Sequence, residues 1–202
     1  MLLFSLWLGL ATPSITQAYP CGYIRMTELH PDPSSLPDRQ GEFIELHNPT
    51  STIQRTVGWF INLNGVDLAL PNISMGPHST VTLSRGVWPL PIKHLVWDDL
   101  RLPNRKGKIQ LLDRCKRVAQ AVQWGAVSSN RIRTGRSLEL IWRRGRLRWR
   151  ASRRKDAVYG DRASPGRVSK RLSQRLAPKE TRSRPVVSKP TDSRQRVRRK
   201  VD

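Results

Sequence analysis

The chain has 202 residues, which is enough for one well-buried domain with appendages, and 37 Lys and Arg residues face 15 Asp and Glu residues. Residues 1–130 carry 12 basic and 9 acidic side chains, whereas residues 131–202 carry 25 and 6. The last third is therefore a polycation, which indicates an anionic partner. Two cysteines and four scattered histidines offer no close Cys or His pair for a metal site.

Residues 1–18 have the parts of a secretory signal peptide. An apolar run from Leu2 to Leu10 is broken by Pro13, and Ala18 provides the small residue that a signal peptidase requires. One feature departs from the pattern, because no Lys or Arg follows Met1. The alternative is a buried first strand, although no polar face alternates with the leucines. We expect cleavage after Ala18, a secreted or cell-envelope location, and no transmembrane segment after processing.

After the leader, short apolar runs separated by turn residues are typical of an all-β sandwich. The segment 79–84 alternates most clearly, with Val81 and Leu83 inward, and the Pro/Asp/Ser segment 30–41 predicts a loop. No helical periodicity or internal repeat competes with this interpretation. The predicted strands are 23–30, 42–48, 57–63, 66–70, 79–84, 108–113, 118–124 and 137–142.

Cys21 and Cys115 are the cysteines of the predicted mature chain. In an oxidising compartment they form one disulfide, for which the chain-entropy model predicts roughly 4–5 kcal/mol of stabilisation. The alternative is a pair of free, buried thiols, and the sequence does not decide between the two.

In this order, several phrases of the sequence resemble the lamin-tail domain, an immunoglobulin-like β-sandwich that also occurs in bacterial exported proteins. The phrases are IRMTEL (24–29), GEFIELHNP (41–49), GW (58–59), LLD (111–113), VAQAV (118–122), WG (124–125), SLEL (137–140), Trp149 and SPG (164–166). Two features depart from the family pattern: Gln120 replaces a common acidic residue, and residues 143–158 are unusually basic. The resemblance implies a domain over 19–168 and structural roles for Glu28, Glu45, Asn48, Trp59, Trp124, Trp149, Pro165 and Gly166.

The segment IWRRGRLRWR (141–150) contains five arginines. The resemblance makes 137–142 the last core strand and Trp149 an apolar plug that returns to the sandwich. Gly145 then supplies the positive φ of a turn, and Leu147 and Trp149 alternate with arginines as in a half-exposed edge strand. An arginine-lined edge also discourages aggregation, which is the alternative explanation for the same residues.

Candidate catalytic and metal-binding residues are few. Glu28 and Glu45 could form a pair of carboxylates for acid–base chemistry, but a structural role that accepts backbone or Arg hydrogen bonds is the stronger interpretation. Asp98, Asp99 and Asp113 are carboxylates of the type that hard cations bind. Asn72-Ile73-Ser74 is a formal glycosylation sequon, and Trp88 on a Pro/Gly-rich segment is a candidate exposed ligand contact. We find no phosphate loop or nucleophile motif, and expect neither a cofactor nor an enzyme.

The basic region is the main functional candidate. Residues 169–202 contain no aromatic residue, and their composition predicts a disordered tail. We expect the basic residues to bind an anionic polymer non-specifically, either nucleic acid or a phosphate-rich envelope polymer. The alternative function is an accessory or targeting domain for a separate exported hydrolase. The candidate polyanion-binding residues are Arg131, Arg133, Arg136, Arg143, Arg144, Arg146, Arg148, Arg150, Arg153, Arg154, Lys155, Lys170, Arg171, Arg198, Arg199 and Lys200.

Overall fold

The computed structural model describes residues 21–88, 94–125, 128, 130–153, 157–158 and 160–178. The fold is mostly β, with 42% strand and 8% helix arranged around several sheets. The predicted leader, the end of the basic tail from residue 179, and the candidate residues Arg154, Lys155, Arg198, Arg199 and Lys200 lie outside the described residues.

In the described part of the chain, the elements follow one another as short strands with two brief helices. They are β1 (Arg25–His30), α1 (Asp38–Gly41), β2 (Phe43–His47), β3 (Gln54–Arg55), β4 (Phe60–Leu63), β5 (Val66–Ala69), β6 (Ser74–Met75), β7 (Thr80–Ser84), β8 (His94–Val96), β9 (Gly107–Leu112), β10 (Val118–Trp124), β11 (Leu138–Arg143), β12 (Arg146–Ala151), β13 (Ala157–Val158), β14 (Asp161–Arg162) and α2 (Lys170–Leu176).

Two sheets dominate the described fold. The large sheet has the strand order β12-β11-β1-β2-β7-β8, in which β8 runs parallel to β7 and the other neighbours are antiparallel. The small sheet has the antiparallel order β10-β9-β4-β5, and two short ladders, β3–β6 and β13–β14, lie beside them. The β11–β12 hairpin therefore forms one edge of the large sheet.

Apolar side chains from both sheets share one core. In β2, Ile44 and Leu46 join this cluster, as the alternating pattern predicts, and Leu111 joins it from the small sheet. Trp59 and Trp124, which the resemblance marked as structural, are almost completely buried. In β7, Leu83 is buried in this cluster and the half-buried Val81 packs against it. Thr82 and Ser84, which the alternating pattern places outward, are also buried, so the predicted exposure of that side is wrong.

Two links tie the start of the chain to the small sheet. Cys21 and Cys115 form a disulfide with their Cα atoms 5.5 Å apart, so the structure adopts the first of the two alternatives for the cysteines. The Gln120 side chain accepts a hydrogen bond from the Met26 amide and donates one to the Met26 carbonyl, each at 2.8 Å. The side-chain amide of Gln120 therefore pairs with the backbone of β1 as a neighbouring strand would. An ionised carboxylate cannot make both hydrogen bonds because it has no donor.

Three predictions need correction. The tail is not disordered from residue 169, because α2 folds over 170–176 with Leu172 and Leu176 buried and Ser169 capping its first turn. Leucines four residues apart lie on the same face of a helix. The average composition of residues 169–202 does not reveal this spacing. Trp88 is only 3% exposed, since its ring packs on Phe43, 5.2 Å between centroids. Residues 38–41 of the predicted loop form one helical turn.

Candidate functional site

The β11–β12 hairpin carries the densest group of arginines. It closes through Arg144 and Gly145, both with positive φ (50° and 77°), which is the geometry of a two-residue type I′ turn. The prediction of a Gly145 turn is therefore confirmed. In a strand, alternate residues share a side, so Arg146, Arg148 and Arg150 project from one side of β12.

Across the hairpin, each of these arginines faces a different kind of partner. Arg143 lies directly opposite Arg146, while Ile141 faces Arg148 and Glu139 faces Arg150. Like charges directly opposite each other destabilise a pair of strands. The hairpin thus carries a repulsion between Arg143 and Arg146 that the edge strand of a sheet does not need for its stability.

A second basic segment, the turn formed by residues 131–136, adjoins the hairpin. Arg131, Arg133 and Arg136 line a groove of about 530 Å³ together with residues of β11 and β12. Desolvation and the charges of Arg162, Arg133 and Arg153 lower the pKa of the Arg136 guanidinium. We call the whole set the arginine surface; its members are Arg131, Arg133, Arg136, Arg143, Arg144, Arg146, Arg148, Arg150 and Arg153.

Within the described part of the chain, most of the arginine surface lacks an acidic partner. Arg150 is the exception, because its Nη2 lies 2.8 Å from Oε1 of Glu139 and its Nε donates to the same oxygen at 2.9 Å. Among the residues that the structure describes, the other eight members make no ion pair. Eight uncompensated guanidinium groups therefore produce a strongly positive local potential.

Helix α2 supports the hairpin from its apolar side. Leu172 and Leu176 pack with Leu140, and the half-buried Trp142 and Trp149 border this small cluster. Trp149 also contacts the main core, which agrees with its predicted role as a plug. Trp142, which a core strand would bury, is only half-buried, and the guanidinium of Arg175 lies 5.1 Å from its ring centroid.

The predicted tail residues that the structure describes divide between two places. Arg171 lines a cavity of about 300 Å³ together with Arg143 and Arg150, so α2 brings it to the arginine surface. Lys170 instead lines a cavity of about 630 Å³ beside His47 and His78. The structure therefore joins Arg171, but not Lys170, to the candidate site.

Glu28 and Glu45 lie opposite each other on β1 and β2 and are almost completely buried. Glu28 accepts hydrogen bonds from the hydroxyl of Ser137 and from the amide (2.8 Å) and hydroxyl (3.1 Å) of Ser164. Glu45 accepts from Thr27 Oγ1 and from the amide of Gly166, each at 2.5 Å. These bonds fasten residues 164–166 onto the outer side of the large sheet, which is the structural use that the sequence favoured.

Burial governs the ionisation of both carboxyl groups. Desolvation raises the pKa of Glu28, and desolvation together with the neighbouring charge of Glu28 raises the pKa of Glu45 to about 8. The hydrogen bonds from Thr27, Gly166 and Arg167 act in the opposite direction on Glu45. Within the described fold, both carboxyl groups accept hydrogen bonds from protein donors. Their arrangement therefore serves to hold residues 164–166 against β1 and β2.

The remaining predicted residues also have structural partners. Asn48 donates from Nδ2 to the carbonyls of Thr52 (2.8 Å) and Gly76 (2.7 Å) and accepts from the Thr50 amide at 3.0 Å, so it fixes the turn after β2. Pro165 is buried beside Ser164, and Gly166 supplies the amide bound by Glu45.

The cation-binding candidates are not assembled into a site. Asp98 and Asp99 are exposed. Asp113 accepts hydrogen bonds from the amides of Cys115 and Arg117, and it forms an ion pair with the Arg117 side chain at 3.1 Å. Asp113 does lie within 4.8 Å of both cysteine sulfurs, but these sulfurs are joined in the disulfide and offer no thiolate.

Sequence reasoning missed the contact between His47 and α2. His47 Nε2 lies 2.9 Å from Ser173 Oγ, and its Nδ1 lies 3.2 Å from Thr80 Oγ1. Burial lowers the pKa of His47 to about 4, so the ring is neutral near pH 7 and is a weak base. The Leu172–Leu176 spacing was the available signal for this helix.

No protein-family model and no curated protein matches this sequence. In the described part of the chain, neither helix is long and apolar enough to cross a bilayer. The basis for assigning a function is therefore the arrangement of the described residues, in which uncompensated arginines are the most unusual feature.

Proposed function

We propose that this protein is an exported, non-enzymatic binding module that holds phosphate-bearing polymers through its arginine surface. Eight arginines that have no acidic partner among the described residues lie on or beside one hairpin and its neighbouring turn, and this is the observation that carries the proposal. Guanidinium groups bind phosphate through paired hydrogen bonds, and release of counterions from the polymer drives the association.

We further propose that the fold is an immunoglobulin-like sandwich of the lamin-tail type. The core shared by the large and small sheets supports this, as do the buried positions of Glu28, Glu45, Asn48, Trp59 and Trp124. The disulfide is consistent with export, because such bonds persist in oxidising compartments. N-terminal sequencing of the mature protein tests export, and a chain that begins at Tyr19 is the expected result.

Retention on immobilised duplex DNA and on immobilised polyphosphate tests polymer binding. We expect elution from both at a salt concentration well above physiological. The variant R144Q/R146Q/R148Q should weaken binding to duplex DNA and lower the slope of log affinity against log salt by about three, roughly one for each lost phosphate contact. The control R55Q/R105Q/K108Q changes the net charge equally at exposed positions away from the hairpin.

The outcomes separate the candidate functions. Equal losses in the two triple variants would mean that net charge alone causes retention and would contradict a defined surface. No retention at physiological salt, together with recovery of an exported hydrolase in a pull-down, would favour the accessory-domain alternative. Retention on only one of the two columns would identify which polymer supplies the phosphates.

A truncation after Pro178 measures what the end of the tail contributes. This position leaves α2 intact, whereas a cut at residue 168 removes the buried Leu172 and Leu176. If the hairpin is the principal site, the truncated protein keeps most of the DNA affinity of the full chain. Loss of nearly all salt-sensitive binding would instead assign the function to residues 179–202.

A further inference from the structure

The arginine surface lines more than one concavity. One of them, of about 270 Å³, lies beside Arg143, Arg144, Arg148 and Arg150. The groove beside the 131–136 turn has a volume of about 530 Å³, which lies within the range of about 300–1,000 Å³ typical of ligand pockets. Among the described residues, no acidic side chain lines it. Six arginines do so: Arg131, Arg133, Arg136, Arg143, Arg150 and Arg153.

The groove gathers six arginines, whereas the smaller concavity on the hairpin gathers four. Arg144 and Arg146 lie at the turn of the hairpin and do not line the groove. In contrast, Arg136 is close enough to Arg133, Arg153 and Arg162 for their charges to act on it directly. Converging like charges favour a ligand that is compact and carries several negative charges.

The backbone of the groove is held in place before any ligand binds. Thr134 Oγ1 donates to Asp32 Oδ2 at 2.6 Å, and the Gly135 amide donates to the Asp32 carbonyl at 2.8 Å. The Arg162 amide donates to the Gly135 carbonyl at 2.7 Å, which joins the turn to β14. A pre-ordered site binds more tightly because less conformational entropy is lost on binding.

The charge of the groove sets the size of the ligand. Arg150 is neutralised by Glu139, which leaves five uncompensated arginines in the lining. A terminal phosphate carries about −1.5 to −2 at neutral pH and an internal, linked phosphate carries about −1, so a chain of three phosphates carries about −4 to −5 and balances most of the five guanidinium charges. A single orthophosphate leaves most of the repulsion in place.

Among the described residues, the groove's aromatic lining is limited to Trp149, which is half-buried. The exposed large hydrophobic side chains of the described residues include no aromatic residue. Trp149, which borders the groove, packs against the core and against the Leu140 cluster. Binding of single-stranded nucleic acid without sequence preference uses exposed aromatic platforms, so phosphates are the groups that the groove is best suited to hold.

We infer that this groove is a discrete site for an oligophosphate of at least three linked phosphate groups, carried free or at the end of a polymer. The inference rests on the proposed function and deepens it, because it separates one built site from the general attraction of the arginine surface. Arg133 and Arg136 are its central binding residues, and Arg144 and Arg146 lie outside it.

Isothermal titration of the full chain with sodium tripolyphosphate tests the site. We expect one tripolyphosphate per protein, and a large excess of orthophosphate should not compete. The variant R133Q/R136Q should weaken tripolyphosphate binding at least tenfold, whereas R144Q/R146Q, with the same change in net charge, should weaken it less than threefold. A second groove variant, R131Q/R153Q, replaces the first if R133Q/R136Q shows a lowered thermal midpoint.

Duplex DNA distinguishes the site from the proposed function. A duplex with 5′-hydroxyl ends should lose affinity similarly in R133Q/R136Q and R144Q/R146Q, because both pairs belong to the arginine surface. A duplex with a 5′-triphosphate should bind more tightly than the 5′-hydroxyl duplex, and only R133Q/R136Q should abolish the difference. Without that difference, a free oligophosphate is the ligand.

Two results would overturn the inference. One is equal weakening of tripolyphosphate binding in R133Q/R136Q and R144Q/R146Q while the protein is still retained on DNA. This outcome keeps the proposed function and rejects the groove as a separate site. The other is several weak tripolyphosphate sites that orthophosphate displaces. If neither DNA nor tripolyphosphate binds at physiological salt, the proposed function fails together with the site.

Discussion

The buried carboxyl group of Glu45 makes the stability of this domain depend on pH in an unusual direction. Its pKa is raised from 4.5 to about 8 in the folded protein, chiefly by desolvation. In the unfolded chain the group loses its proton near pH 4.5, whereas in the folded chain it keeps the proton until about pH 8. The favourable contribution is therefore fully present below pH 4.5 and is lost as the pH rises to about 8.

The size of this effect follows from the pKa difference. Each pKa unit corresponds to about 1.4 kcal/mol, so the upper limit for Glu45 is on the order of 5 kcal/mol. We expect the free energy of unfolding, measured by urea denaturation, to fall by at least about 2 kcal/mol between pH 5 and pH 9. Most surface carboxylates contribute nothing over this range, because they are ionised in both states.

The variant Glu45→Gln isolates the group. Glutamine does not titrate, so the variant should lose the part of the pH dependence that Glu45 supplies, whereas Glu28 and Glu42, whose pKa values burial also raises, continue to contribute. At pH 5 the variant loses about 1–3 kcal/mol because one donor lacks its acceptor. Asp67→Asn is the control, since Asp67 is exposed and its hydrogen bond with Asn62 lowers its pKa. A difference between wild type and Glu45→Gln that stays constant from pH 5 to pH 9 would refute this reasoning.

Two further predictions concern the links that hold the domain together. The double variant L172A/L176A should undock α2, so that the amides of α2 exchange hydrogen almost as fast as in an unfolded peptide. The global stability should fall by only about 1–2 kcal/mol. Gln174→Ala is the exposed control, and unchanged protection of α2 in L172A/L176A would contradict the packing described. Replacing Cys21 and Cys115 by serine should cost about 4–5 kcal/mol in urea denaturation, and a loss below about 1 kcal/mol would show that the disulfide does little to restrict the unfolded chain.

Local patterns predicted the parts of the fold that depend on neighbouring residues. The alternation around Val81 and Leu83 identified β7, and Gly145 between two basic runs identified the turn of the hairpin. These features follow from the two-residue period of strands and from the steric freedom of glycine. They can be read within a window of about ten residues.

Features that require distant segments to meet were not predictable in this way. Trp88 lies two residues after Gly86 and directly before Pro89, which suggests a loop, yet the distant Phe43 buries its ring. Helix α2 was missed because a highly charged composition concealed two leucines whose partner, Leu140, lies some thirty residues earlier in the sequence.

In the candidate site too, local features were predictable and contacts between distant segments were not. The sequence identified every arginine of the surface, but it did not reveal which of them converge. Convergence depends on Asp32, which holds Thr134 and Gly135 from about a hundred residues away, and on the pairing of Glu139 with Arg150. The groove is thus a product of tertiary structure, whereas its charge is a property of composition.

The opposed pair Arg143 and Arg146 has a consequence for the lifetime of the protein. Repulsion within the hairpin is a cost that the free protein carries and that a bound anion removes, so binding and folding are thermodynamically linked. Occupied molecules should open less often and resist proteases for longer than empty ones. In the presence of proteases, the surviving protein would then become enriched in molecules that have an anionic polymer bound.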